Sequence, residues 1–173
     1  MAEAGPRAAL RGLTAMPMDP LLAEVSRLHF PNAPATLAQL AAFEARVGWE
    51  LDEDLRAFYL HCDGCTLFAP RVDALYRVLP LAEIRRARLA IRASDEDRDG
   101  APSVFTLVDM QDSDYVVLDS TQREAGQYPL FDAFHETFPE EMECIASSFA
   151  EFLERALRSG NRAFWLSGES PSR

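Results

Sequence analysis

The sequence contains no lysine, and all seventeen of its basic residues are arginine. This bias predicts a GC-rich bacterial genome as the source. The three cysteines are too few, and odd in number, for a disulfide framework, which favours a reducing compartment. No apolar run approaches the ~18 residues of a membrane span, and residues 1–18 lack the continuous apolar block of a signal peptide. We therefore expect a cytoplasmic protein.

Motifs for nucleotide chemistry are also missing. The chain has neither GxGxxG nor GxxxxGK[ST], so no phosphate-binding loop is predicted. It has no second CxxC and no HxxxH to complete the pair Cys62 and Cys65. That pair follows a predicted helix at its C-terminus, where the helix dipole raises a thiol pKa and disfavours redox chemistry. Cys62 and Cys65 are thus candidates only for an incomplete metal site, and we expect no metal and no cofactor.

Two other groups of reactive side chains fail as sites. Cys144 and His135 resemble a nucleophile and base that Asp132 would orient, but no glycine-rich elbow frames Cys144, and Glu140, Glu141 and Glu143 surround it. The acidic run at residues 95–99 lacks the glycine and closing glutamate of an EF-hand. We expect no catalytic residues.

The acidic residues are concentrated in the second half of the chain. Residues 95–154 hold sixteen Asp and Glu against two Arg, whereas the chain as a whole carries a net charge of −11. This charge repels nucleic acid and anionic membranes, and it speeds the approach of a basic protein at low salt. The alternative interpretation is that the charge only keeps the protein in solution.

Apolar spacing and capping residues predict several helices. They are residues 20–30, a helix from Thr36 to Gly48 with a capping box, a helix capped by Asp52 and ending near Gly64, residues 81–92, residues 139–144, and a final helix from the capping box Ser148-x-x-Glu151 to Gly160. On the apolar side of the first helix we expect Leu21, Leu22, Val25, Leu28 and His29.

Runs rich in β-branched and aromatic residues predict the strands. They are residues 66–68, 74–80, 103–109 and 115–119, the last two forming a central hairpin, and 127–134, where Pro129 favours a sheet edge. Phe164, Trp165 and Leu166 either dock on the domain or lie exposed as a contact point, and docking is the expected state. The length of 173 residues predicts one α+β domain at 19–160 with a central, mostly antiparallel sheet and flanking helices. A disordered N-terminal tail at 1–18 and a C-terminal tail at 161–173 flank it.

Five stretches, in this order, resemble the SUKH superfamily, which includes fungal cell-wall assembly regulators and bacterial immunity proteins. They are LAAFEARVGWELDEDLRAFYLHCDGCTLF, YRVLPLAEI, VFTLVDM, DYVVLDS and SSFAEFLERAL. The match consists of core positions and an Asp-Gly corner, and Cys65 departs from the glycine-rich form of that corner. The resemblance implies the α+β fold stated above, no enzymatic activity and, for bacterial members, binding to a cognate toxin domain.

Many such toxins act on nucleic acid and are basic, so the resemblance gives the acidic surface a partner. The hypothesis is a monomer or weak homodimer that blocks a basic toxin domain and binds neither nucleic acid nor membrane. The alternatives are a regulatory scaffold or adaptor, and a small-ligand or metal-binding domain. The predicted contact residues are Asp95, Glu96, Asp97, Asp99, Asp112, Asp114, Glu136, Glu140, Glu141 and Glu143.

Overall fold

A computed structural model describes residues 17–166. The helices are α1 (Met18–Leu28), α2 (Leu37–Val47), α3 (Glu53–His61), α4 (Ala87–Arg92) and α5 (Phe149–Leu157). The strands are β1 (Phe30–Pro31), β2 (Cys65–Thr66), β3 (Arg77–Val78), β4 (Val104–Asp109), β5 (Tyr115–Asp119), β6 (Leu130–Ala133) and β7 (Glu143–Ala146). Short 3-10 turns span Leu81–Glu83 and Asp97–Asp99. The predicted α+β fold is confirmed.

The strands form one antiparallel sheet in which spatial order equals chain order, from β1 to β7. The predicted hairpin of β4 and β5 is confirmed, and it lies in the middle of the sheet. Val104 is opposite Asp119 at one end of the hairpin, and Asp109 is opposite Tyr115 at the other. The turn between these strands is tight, because Gln111, Asp112 and Ser113 all have positive φ. β6 pairs with β5 and β7 with β6, so the second half of the sheet is built from consecutive neighbours.

The two faces of the sheet are both covered, but unequally. Val116 and Leu118 of β5 belong to the larger core, in which α1, α3 and α5 pack against one another. Val117, which points the other way, belongs to a small cluster with Ala87 of α4 and Phe138. The large helical layer and a thin second layer thus enclose the sheet.

The helix starts confirm the predicted caps and show what they join. At α2, Thr36 and Gln39 form the complete capping box, and Gly48 ends the helix in the left-handed region. At α3, the buried Asp52 carboxylate accepts hydrogen bonds from the backbone N–H groups of Leu55 (2.9 Å) and Tyr128 (3.0 Å). Asp54 accepts from the N–H of Ala150 at 3.1 Å, which links α3 to the start of α5. Burial raises the pKa of both carboxyl groups, while these hydrogen bonds oppose the rise.

The predicted helix at residues 81–92 is confirmed only at Ala87–Arg92, because the chain is extended between Ile84 and Arg86. The N–H of Thr106 donates to the carbonyl of Arg85 at 2.9 Å, and Arg86 forms an isolated bridge with Phe105. Pairing with β4 therefore divides the segment into a 3-10 turn and the short helix α4.

The predicted helix at residues 139–144 is wrong. Residues 135–140 form turns, and the chain then enters β7, where Glu143 lies opposite Asp132. This added strand makes β6 an interior strand, whereas Pro129 had suggested an edge. Pro129 lies just before β6, so its missing N–H removes no hydrogen bond from the ladder.

Smaller differences concern the ends of the helices. α1 begins at Met18, which is buried, and Leu28 is 57% exposed rather than part of the apolar side. At α5, Ser148 caps the helix, but Glu151 reaches the N–H of Ser147 rather than that of Ser148, so the capping box is incomplete. Tails were predicted at residues 1–18 and 161–173. Of these, residues 1–16 and 167–173 lie outside the described part of the chain, so the disorder expected at the N-terminus stays a prediction there.

Candidate functional site

The Asp-Gly corner after α3 fixes the helix to the segment that follows β3. The hydroxyl of Tyr59 donates to the carbonyl of Leu79 at 2.6 Å, and the Asp63 carboxylate accepts from the N–H of Leu81 at 2.9 Å. Gly64 has φ +86°, and a Cβ placed there would lie 2.7 Å from the carbonyl oxygen of Val78. Close packing therefore explains why the sequence has Asp63 and Gly64 at this corner.

The cysteines next to this corner are buried. Cys62 is 0% and Cys65 1% exposed, and contact with the Cys62 thiol, together with burial, raises the pKa of Cys65 well above its usual value. A raised thiol pKa disfavours the thiolate that metal ions bind. Between residues 17 and 166 no cluster of three or more His, Cys, Asp or Glu side chains has the arrangement of a metal site.

The remaining reactive side chains stand apart. Cys144 is exposed on β7, and its thiol contacts the carbonyl of Ala146. The Nδ1 atom of His135 lies 2.7 Å from the carboxylate of Asp114 rather than against Asp132. The supposed nucleophile, base and orienting acid therefore do not form a triad.

The acidic loop at residues 95–99 is largely neutralised by the chain's own arginines. Arg88, whose side chain is 4% exposed, donates to Asp95 and Asp97, each at 2.7 Å. Arg86 makes a second contact with Asp95, and Arg98 pairs with Glu96 and more distantly with Asp99. These carboxylates hold the loop in place, so little uncompensated charge is left for a partner.

A groove of about 460 Å³ lies at the edge of the sheet where β5 begins, β6 ends and β7 begins. Its wall is mostly apolar, with Leu75, Met110, Phe134, Ala163, Trp165 and Leu166. Its rim carries four carboxylates, those of Asp114, Asp132, Glu141 and Glu143. We call this feature the acid-rimmed groove.

Two of the rim carboxylates are forced together by the sheet. Asp132 of β6 and Glu143 of β7 are directly opposite each other, so their side chains leave the sheet on the same side. Burial raises the pKa of Asp132. The nearby indole N–H of Trp165 opposes this rise, and the negative charges of Asp114 and Glu143 add to it. Like charges in such a pair destabilise the sheet.

No arginine in residues 17–166 forms an ion pair with Asp132, Glu141 or Glu143. Asp114 is the fourth rim acid, and its partner is His135, through both the ring and the backbone N–H at 2.9 Å. The rim therefore differs from the loop at residues 95–99, although the two have similar composition.

The structure separates the acidic residues predicted as one contact face. Asp114, Glu141 and Glu143 lie on the rim, Asp112 is exposed in the turn before Asp114, and Glu136 is exposed in the turn after β6. Glu140 instead lines a separate hollow of about 240 Å³ with Val117 and Phe131. The predicted face is thus at least two surfaces, and the assignment of these residues to a partner stays a prediction.

Sequence reasoning missed the contribution of Asp132, Phe134 and Trp165 to this groove. The signal for Asp132 was its position two residues after Leu130 on β6. Side chains two residues apart on a strand lie on the same face, so Asp132 places a carboxylate on the side of the larger core. Docking of the C-terminal segment is confirmed for Phe164 and Trp165, which pack against the larger core, while Leu166 is 73% exposed. The buried Nε1–H of Trp165 lies near enough to the Asp132 carboxylate to lower its pKa, but it makes no hydrogen bond of good geometry in the described chain.

The described helices include none that is long and apolar enough to cross a membrane. A search of curated proteins finds no match. A family model described as the SMI1 / KNR4 family (SUKH-1) matches residues 34–155, from the segment before α2 to α5. This match extends over more than half of the chain and includes the Asp-Gly corner and both central strands. The chain belongs to the SMI1 / KNR4 family (SUKH-1).

Proposed function

We propose that this chain is a non-catalytic protein-binding domain that acts in the bacterial cytoplasm as an immunity protein. It binds a cognate toxin domain that is basic and acts on nucleic acid, and it blocks that domain by covering its surface. Membership of the SMI1 / KNR4 family supports a domain of the immunity or regulator type. No chemical step and no cofactor is part of this function.

The observation that carries the proposal is the unpaired charge of the acid-rimmed groove. Asp132, Glu141 and Glu143 lie around an apolar wall with no arginine of the described chain against them. A basic partner relieves the repulsion among these carboxylates and covers the exposed rings and methyl groups beside them. The same carboxylates would cover the cationic surface through which such a toxin binds the phosphates of its nucleic-acid substrate.

An adaptor or regulatory scaffold is the second candidate, since the same groove can hold a basic segment of a cellular protein. The partner's activity separates the two functions, because only an immunity protein relieves toxicity. A metal-binding function has less support, because Cys62 and Cys65 are buried and the pKa of Cys65 is raised.

The test first searches the neighbouring reading frames for a large secreted protein with a variable C-terminal domain, and it uses that domain as the candidate toxin. The toxin domain is expressed with and without this chain, and growth and complex formation are measured at low and high salt. We expect restored growth and an association rate that falls as salt rises. Restored growth with no binding, or binding with no restored growth, would contradict the proposal.

A pair of double variants assigns the surface. Glu141→Arg with Glu143→Arg reverses two rim charges, and Glu50→Arg with Glu124→Arg makes the same change in charge at exposed positions outside the groove. We expect the first pair to slow association at least tenfold at low salt and the second pair to have a much smaller effect. Equal effects would show that only net charge matters.

A further inference from the structure

We propose that the acid-rimmed groove receives a single arginine side chain of the partner, held between the carboxylates of Asp132 and Glu143 and the rings that line the groove. This inference rests on the proposed function, because it names the group by which the basic partner is recognised. The occupant is a guanidinium group on an apolar stem.

The position of the two carboxylates is the first part of the argument. Residues directly opposite each other on antiparallel strands have Cβ atoms about 4.5–5.5 Å apart. Asp132 and Glu143 have this relationship, and both line the groove. A guanidinium group carries five N–H donors in a planar fork, so one arginine can donate to both carboxylates at once.

The wall of the groove is the second part. Phe134 and Trp165 both line it, and Phe134 is 38% exposed. The Trp165 ring is held edge-on by Phe164, with centroids 5.0 Å apart, and by Tyr76, with centroids 6.3 Å apart. Aromatic faces attract guanidinium groups, and apolar walls accept the methylene stem of arginine.

The size and charge of the groove are the third part. A volume of about 460 Å³ exceeds that of one arginine side chain and leaves room for neighbouring backbone. The rim has an excess of carboxylates, and the half-buried Asp132 has no cation against it within residues 17–166. Charge complementarity therefore selects a cationic occupant, and the stacking surface selects arginine over lysine.

The test is a titration of the full chain, labelled with ¹⁵N, with N-acetyl-arginine methylamide at constant ionic strength. The indole N–H signal of Trp165 reports on the groove, and that of Trp49, which packs in the core, serves as an internal reference. The neutral isostere N-acetyl-citrulline methylamide and N-acetyl-lysine methylamide are the matched probes. We expect a saturable shift of the Trp165 signal with arginine, a several-fold weaker response to lysine, and none with citrulline.

Two variants complete the test. Glu143→Gln and Asp132→Asn each remove one carboxylate with little change in shape, and we expect either to weaken arginine binding about tenfold. Glu124→Gln, outside the groove, is expected to leave binding unchanged. An equal response to citrulline or lysine, or unchanged arginine binding in both groove variants, would overturn the proposal.

The outcome for the arginine site is separable from the outcome for the immunity function. If arginine fails to bind but the reversal of Glu141 and Glu143 still slows association with the toxin domain, the rim acts by charge alone and the arginine site is wrong. If arginine binds as described but the toxin domain does not, the site stands and the proposed partner is wrong.

Discussion

Asp132 and Glu143 face each other across β6 and β7, and their carboxylates leave the sheet on the same side. An antiparallel sheet normally places opposite charges or apolar groups in such a pair. We therefore expect this arrangement to reduce the stability of the free protein, and we expect the cationic partner proposed above to remove that repulsion.

We expect Asp132→Asn to increase the free energy of unfolding at pH 7 by up to about 1 kcal/mol, because it removes one of two negative charges that face each other across the strands. The pKa of Asp132 is raised in the folded protein. The wild-type protein therefore gains stability as the pH falls through this raised pKa towards the ordinary value of 3.8. The variant lacks this gain, so the difference between the two narrows.

Urea unfolding at pH 7 and at pH 4.5 measures this effect. Asp73→Asn, an exposed carboxylate outside the groove, is the matched control and should change little at either pH. A less stable Asp132→Asn variant at pH 7 would show that the carboxylate has a structural role instead.

Gly64 and Gly48 give a second prediction, since both have positive φ but different surroundings. A Cβ at Gly64 would lie 2.7 Å from the carbonyl oxygen of Val78, whereas at Gly48 it would meet nothing within 4 Å. We expect Gly64→Ala to cost about 2–4 kcal/mol of stability and Gly48→Ala about 1 kcal/mol. Urea unfolding of the two variants measures this, and equal losses would mean that backbone strain alone requires glycine at the corner.

The Asp52 carboxylate provides a third prediction. Asp52→Ala leaves the N–H groups of Leu55 and Tyr128 without their acceptor, and we expect a loss of about 2–3 kcal/mol. Asp52→Asn keeps one amide oxygen as an acceptor and removes a buried charge, so its loss should be smaller. Unfolding monitored by circular dichroism tests both variants, and an Asn variant as unstable as the Ala variant would show that the charge itself is required.

Arg88 leads to a fourth prediction, which concerns the loop at residues 94–100. Its buried guanidinium holds Asp95, Asp97 and the carbonyl of Gly100. We expect Arg88→Met to release the loop, so that trypsin cleaves after the exposed Arg98 several-fold faster. Mass spectrometry of the fragments locates the cut.

The control for this prediction is Arg71→Met, which removes only an exposed contact with Glu83. It should leave cleavage at Arg98 unchanged. Faster cleavage spread over many sites in Arg88→Met would indicate general unfolding rather than release of one loop.

The sequence was sufficient wherever structure depends on near neighbours in the chain. Thr36, Asp52 and Ser148 cap their helices as predicted, because a cap needs only donors two or three residues away. The hairpin of β4 and β5 was predictable for the same reason. The helix expected at residues 81–92 forms only at Ala87–Arg92, and the helix expected at residues 139–144 does not form. In both segments a neighbouring strand, β4 or β6, pairs with the chain and holds it extended, and helical spacing alone does not reveal that pairing.

The candidate site was less accessible from sequence. Composition located the excess of acid, but it could not separate Asp95, which Arg86 and Arg88 neutralise, from Glu143, which no arginine of the described chain contacts. Nor could it place Trp165 beside Asp132, since the two meet only when the C-terminal segment docks after α5. Whether a charge is free depends on tertiary partners, which no local pattern encodes.

The strand order has a consequence for how the protein folds. The pairings among β4, β5, β6 and β7 close short loops and can form early, whereas two helices separate β1 from β2 in the chain. The helical layer is different: the bond from Asp54 to Ala150 joins residues 96 positions apart. We expect α5 to pack onto α3 and the sheet last. The acid-rimmed groove includes the segment after α5, so it forms only after this final step.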